Sequence, residues 1–72
     1  DLAGAAAAFE AAAAVASYPL RAGALADAAR CWIAAGEKEK GLAAFQRLEA
    51  EFPDQAVPPA VEALVEELRA RT

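Results

Sequence analysis

Histidine, the side chain that most often moves protons at neutral pH, is absent from this chain of 72 residues. Asparagine is absent too, and there is one serine (Ser17), one threonine (Thr72), one tyrosine (Tyr18) and one cysteine (Cys31). A serine or cysteine nucleophile needs a base within hydrogen-bond reach, and the usual base is missing. Zinc and most transition metals take clusters of His and Cys, which this composition cannot form. Calcium needs a loop rich in Asp and Asn, and Asp54 stands alone. Gly4, Gly23, Gly36 and Gly41 are dispersed, so no glycine-rich phosphate loop is present.

Paired carboxylates are the remaining chemistry. Glu62 and Glu66 stand four apart, as general acid–base pairs sometimes do. The plainer reading is a solvated helix face, and Glu49 and Glu51 are read the same way. Cys31 as a reactive thiol needs a basic neighbour. Arg30 adjoins it in sequence, but consecutive helix residues do not face each other, so Cys31 is read as a small packing residue beside Trp32. The expectation is a protein without enzymatic activity, metal or cofactor.

Charge narrows the partners. Eleven acidic residues against seven basic give a net charge of −4. The basic residues are scattered, whereas nucleic acid and anionic membranes select a concentrated positive surface. The longest uncharged stretch, Ala11 to Leu20, has ten residues, against about twenty needed to cross a bilayer. Neither nucleic-acid binding nor membrane insertion by this segment is expected. A lone cysteine forms no internal disulfide and leaves the redox compartment open. The absence of methionine suggests a piece of a longer protein.

Alanine, the best helix former, fills 24 of the 72 positions, while the larger apolar side chains number 17. Such a chain needs close helix packing, or contacts to a neighbour, to be stable. The breakers divide it into four helices. The first spans Leu2 to Ser17 and stops before Tyr18-Pro19, because a residue preceding proline is pushed out of the helical region. The second spans Arg21 to Ala35, closed by Gly36 in the left-handed conformation. The third spans Lys38 to Phe52. The fourth opens at Pro58-Pro59 and runs to Ala70. Apolar stripes at steps of three and four agree: Leu25, Ala28, Ala29, Trp32 and Ile33 in the second, Leu42, Phe45, Leu48 and Phe52 in the third, and Val57, Val61, Leu64, Val65 and Leu68 in the fourth. The first has Phe9 and Val15 as its large knobs. Short connections imply antiparallel neighbours. Tyr18-Pro19 and Phe52-Pro53 place their prolines 34 residues apart, and a period in the mid-thirties marks stacked helix–turn–helix repeats.

Residues 22–53 resemble a tetratricopeptide repeat (TPR). The matching residues are Leu25 early in the first helix of the repeat, Ala29 at the close crossing and Trp32 one turn later. Gly36 matches in the turn, Gly41 opening the second helix, Phe45 in its middle and Pro53 at its end. Ala28 is smaller than the family's usual residue and Leu48 larger, a compensation in volume. By the resemblance, residues 1–19 hold the second helix of a preceding, degenerate repeat. There Ala7, Ala11 and Ala14 lie one period before Gly41, Phe45 and Leu48. Residues 57–71 form a C-terminal capping helix with a polar outer face. The resemblance implies an all-α fold, a right-handed superhelical array of about four helices in a single domain of 72 residues. The segment from Ala43 to Asp54 is similar to TPR segments of bacterial envelope proteins, and the alanine bias suggests a GC-rich bacterial genome. The compartment stays open between cell envelope or periplasm and cytoplasm.

The resemblance also implies a function: scaffolding, with a protein or peptide partner held on the concave face of the array. Mapped onto this chain, that face is Gly23, Ala26, Asp27, Arg30, Ile33 and Ala34, on the side of the helix away from its hairpin partner. Asp27 and Arg30 either pair with each other or engage the partner. Carboxylate-clamp families place lysine and asparagine here; Ala26 and Arg30 do not match them. The alternative is a homo-oligomer, with the smooth face Ala5, Ala8, Ala12 and Ala16 of the first helix self-associating. Trp32 is read as core rather than as a binding anchor.

Overall fold

Each helix boundary has a local cause. The computed structural model describes residues 1–15, 17, 19–54 and 57–71. It contains α1 (Leu2–Ala13), α2 (Arg21–Ala34), α3 (Lys38–Glu51) and α4 (Pro59–Arg71), with no strand among the described residues. The all-helical, four-helix expectation is met, and all four helices start within one residue of the expected position.

The α2–α3 turn is the most sharply specified. Gly36 has φ +86°, its N–H donates to the Ile33 carbonyl at 3.0 Å, and the Glu37 N–H reaches back to the Trp32 carbonyl at 2.8 Å. This double closure satisfies carbonyls that the helix end would otherwise leave open. A Cβ on Gly36 would meet nothing, so the penalty for Gly36→Ala is backbone strain alone. We expect a loss of about 1 kcal/mol, read from the urea midpoint.

Helix α1 departs from expectation. It ends at Ala13 rather than at Ser17. The Arg21 Nε–H donates to the Ala13 carbonyl at 2.7 Å, occupying an acceptor that one more helical turn would have used. The Val15 N–H turns instead to the Ala12 carbonyl, three residues back. Val15 is therefore outside the helix and 51 % exposed, not a core knob. The Tyr18-Pro19 breaker is only partly visible, since Tyr18 lies outside the described residues.

α2 is the central element. Arg21, at its start, touches Glu51 at the end of α3, while Ala29 and Ile33, toward its end, meet Gly41 near the start of α3. The two helices therefore run antiparallel. α1 packs on α2, and α4 packs on both α2 and α3. The core is mostly small side chains: Ala6 and Ala13 from α1, Ala24, Ala28 and Ala29 from α2, and Ala44 from α3. Leu25, Trp32, Phe45, Leu48, Val61 and Val65 supply the bulk. Small residues let backbones approach, as at Gly41. An added Cβ there would lie 2.5 Å from Ile33 Cγ1 and 3.2 Å from the Ala29 carbonyl oxygen. The apolar stripes of α2 and α3 face inward, as do Val61 and Val65 of α4, while Leu64 and Leu68 are half-buried and Glu62, Glu66 and Glu67 are exposed.

Candidate protein-binding surface

Packing on several sides leaves α2 one open strip. Ala24, Leu25, Ala26, Ala28, Ala29, Cys31 and Trp32 are all buried. Gly23, Arg30 and Ala34 are exposed and Asp27 is half-buried. These four recur at steps of four, three and four, which is one face of a helix. The strip is thus small–acid–base–small.

Two of the six residues mapped to this surface are placed elsewhere. Ala26 is 2 % exposed and belongs to the core, because the second helix is covered beyond its hairpin side. Ile33 does not point away from α3. Its side chain lies over Gly41, filling the space that a side chain on α3 would need. Gly23, Asp27, Arg30 and Ala34 remain together.

Arg30 and Asp27 form an ion pair at 3.7 Å, with both side chains nearly half exposed. At that exposure the pair stabilises the helix by a few tenths of a kcal/mol. It is weak enough for either partner to be exchanged for a charge on another molecule.

Three other cations, Arg21, Lys40 and Arg69, lie against aromatic rings of the fold. Arg21 joins three elements: besides the Ala13 carbonyl, its guanidinium pairs with Glu51 at 3.2 Å and lies 5.2 Å from the centre of the Phe52 ring. Lys40 sits 4.7 Å from the Trp32 ring centre and Arg69 5.4 Å from that of Phe45. These cation–π contacts escape sequence reading. Arg21 and Glu51 are thirty residues apart, and no local spacing announces such a pair. Removing Arg21 strands the carbonyl of a buried residue, so Arg21→Met is expected to destabilise by about 1–2 kcal/mol. Arg47, in an exposed pair with Glu51 at 3.2 Å, is the control, with an expected loss below about 0.5 kcal/mol. Thermal unfolding of both variants checks the contrast.

Little else offers chemistry. Glu62 and Glu66 are exposed, Glu49 pairs with Arg69, and Glu51 is shared between Arg21 and Arg47. Cys31 is buried. Trp32, 7 % exposed, is a core residue whose buried indole N–H finds no hydrogen-bond partner among the described residues. Among the described residues no group of three or more Cys, Asp or Glu is placed to hold a metal ion, and no helix is long and apolar enough to cross a membrane. No family model matches the chain, and neither a curated protein nor a solved structure matches it.

Proposed function

We propose that this chain is a non-enzymatic interaction module, a TPR-like helical hairpin array that holds a protein or peptide partner on the open strip of α2. The observation that carries this reading is the strip itself. The most enclosed helix of the fold leaves open one stripe with a weakly held acid–base pair between two small residues. Small flanks let a partner backbone approach, and the exposed pair supplies exchangeable polar contacts. The repeat-like arrangement is supported by the glycine-closed α2–α3 turn, the close crossing at Ala29 and Gly41, and an α4 whose outer face is acidic. Charge reversal at Asp27 and Arg30, followed by capture of partners, tests the reading.

A second reading, self-association through α1, is favoured by one observation. The fully exposed residues of α1 and its C-cap (Leu2, Gly4, Ala7, Ala8, Ala11 and Ala14) carry no charge and no polar side chain, with half-buried Glu10 the one charge within the helix, whereas a solvent-facing helix surface is ordinarily polar. The face differs from the one the alanine pattern suggested. Ala5 and Ala12 pack against the core, and Ala16 lies outside the described residues. Ala7, Ala11 and Ala14 are open, and one 34-residue period later Gly41, Phe45 and Leu48 are buried. The open face is thus in register with the α3 surface that packs in the core, and another helix suits it.

A further inference from the structure

We infer that the α2 strip is self-complementary in charge, and that its occupant is the same strip of a second copy laid antiparallel across it. This rests on the strip being the binding surface and adds the identity of the partner. Gly23, Asp27, Arg30 and Ala34 recur at steps of four, three and four, the spacing of the seam between two helices of a coiled coil. Gly23 and Ala34 are equidistant from the midpoint between Ala28 and Ala29, and so are Asp27 and Arg30. The order small–acid–base–small therefore complements itself when the second strip runs backwards. A two-fold axis through that midpoint sets Asp27 opposite the partner's Arg30, Arg30 opposite the partner's Asp27 and Gly23 opposite the partner's Ala34. A symmetric dimer requires this kind of self-matching patch.

Two observations favour the exchange. Within one copy Asp27 and Arg30 meet at only 3.7 Å, with both side chains nearly half exposed. A second copy turns two loose ion pairs into one cluster of four charges, alternating in sign. Charge matching of this kind selects partner and register. At the two ends of the strip, about 16 Å apart along the helix, Gly23 and Ala34 carry at most a methyl group and leave the backbones free to approach. The exposed residues of α1 are different: they carry no charge that could fix a register. A contact this short and polar gives a reversible dimer that weakens as salt is raised.

Charge-swap complementation tests this on the intact chain. Asp27→Arg and Arg30→Glu are prepared singly and together, and circular dichroism matches each to wild type. Sedimentation equilibrium over a concentration series gives the oligomeric state of each protein. Native mass spectrometry gives the composition of equimolar mixtures. The expected wild type is a monomer–dimer equilibrium. Each single variant opposes like charges across the two-fold axis and dimerises several-fold more weakly. Mixing the two singles brings opposite charges together at both contacts, and heterodimer exceeds its statistical share several-fold. The double variant complements itself, so it dimerises like wild type yet takes up wild type below the statistical share. That comparison decides the matter even where a single variant fails to fold. A wild type that stays monomeric at every concentration overturns the inference. So does a dimer in which these variants mix at the statistical share, because its contact lies on another face. A monomeric wild type that still loses a captured polypeptide on charge reversal would overturn the second copy alone and leave the strip as the binding surface.

Discussion

Leu25→Ala is expected to lower the unfolding free energy by about 4 kcal/mol, toward the upper end of the range for such truncations. Leu25 is fully buried in the central helix. What sets the magnitude is the company it keeps. Much of the surrounding core is alanine, including Ala24, Ala28, Ala29 and Ala44, and alanine has no side-chain torsion with which to move into a void. The cavity therefore persists, and its cost adds to the lost transfer energy of the deleted carbons. Leu20, 64 % exposed, is the internal control: Leu20→Ala should change stability by less than about 0.5 kcal/mol. Urea titrations followed by Trp32 fluorescence measure both, since the chain has one tryptophan. A small loss at Leu25 would mean that the core relaxes freely, against the close packing described.

The crossing of α2 and α3 gives the second large effect. Gly41→Leu is expected to destabilise by about 3 kcal/mol, because overpacking a tight core forces shifts of side chain or backbone. A Cβ there meets Ile33 Cγ1 at 2.5 Å and the Ala29 carbonyl oxygen at 3.2 Å. The first contact is with a side chain, the second with backbone that moves only if the helices separate. A double-mutant cycle isolates the first. In wild type, Gly41→Ala gains about 1 kcal/mol of helix propensity and loses at least as much to the Ile33 clash. In an Ile33→Ala background the clash is gone and the propensity gain emerges. The expected coupling is about 1–2 kcal/mol. Additive single effects would show that Ile33 does not govern the crossing.

How far the sequence foretells this molecule depends on how local each determinant is. The Gly36 turn was legible because a left-handed residue closing a helix is a local event with a residue-type signature. The inward stripes of α2, α3 and α4 were legible because large apolar residues recur at helical spacing. The end of α1 was not. Its alanines carry no periodic contrast, and its stop is set by a guanidinium from the next helix. The open strip of α2 was legible in part. Gly23, Asp27, Arg30 and Ala34 follow from the register of α2, but the burial of Ala26 depends on how many neighbours cover that helix. Ile33 was misplaced because its orientation is fixed by a missing side chain across the interface, at Gly41. The cation–π contacts of Arg21, Lys40 and Arg69 arise only once the helices are docked.

The central claim, that the α2 strip holds a protein partner, is tested most directly by affinity capture from an extract of the source cells. The bait is this chain, compared with an Asp27→Arg/Arg30→Glu variant matched to it in helicity and urea midpoint. Ile33 stays unchanged, since it fills the space over Gly41 and its loss would perturb the fold. The account predicts a polypeptide retained in stoichiometric amount by the wild type and lost from the variant, with purified components reproducing the difference. Retention of the same polypeptides by both baits, or of the parent chain alone, would contradict it; the latter would move the interaction to the open face of α1.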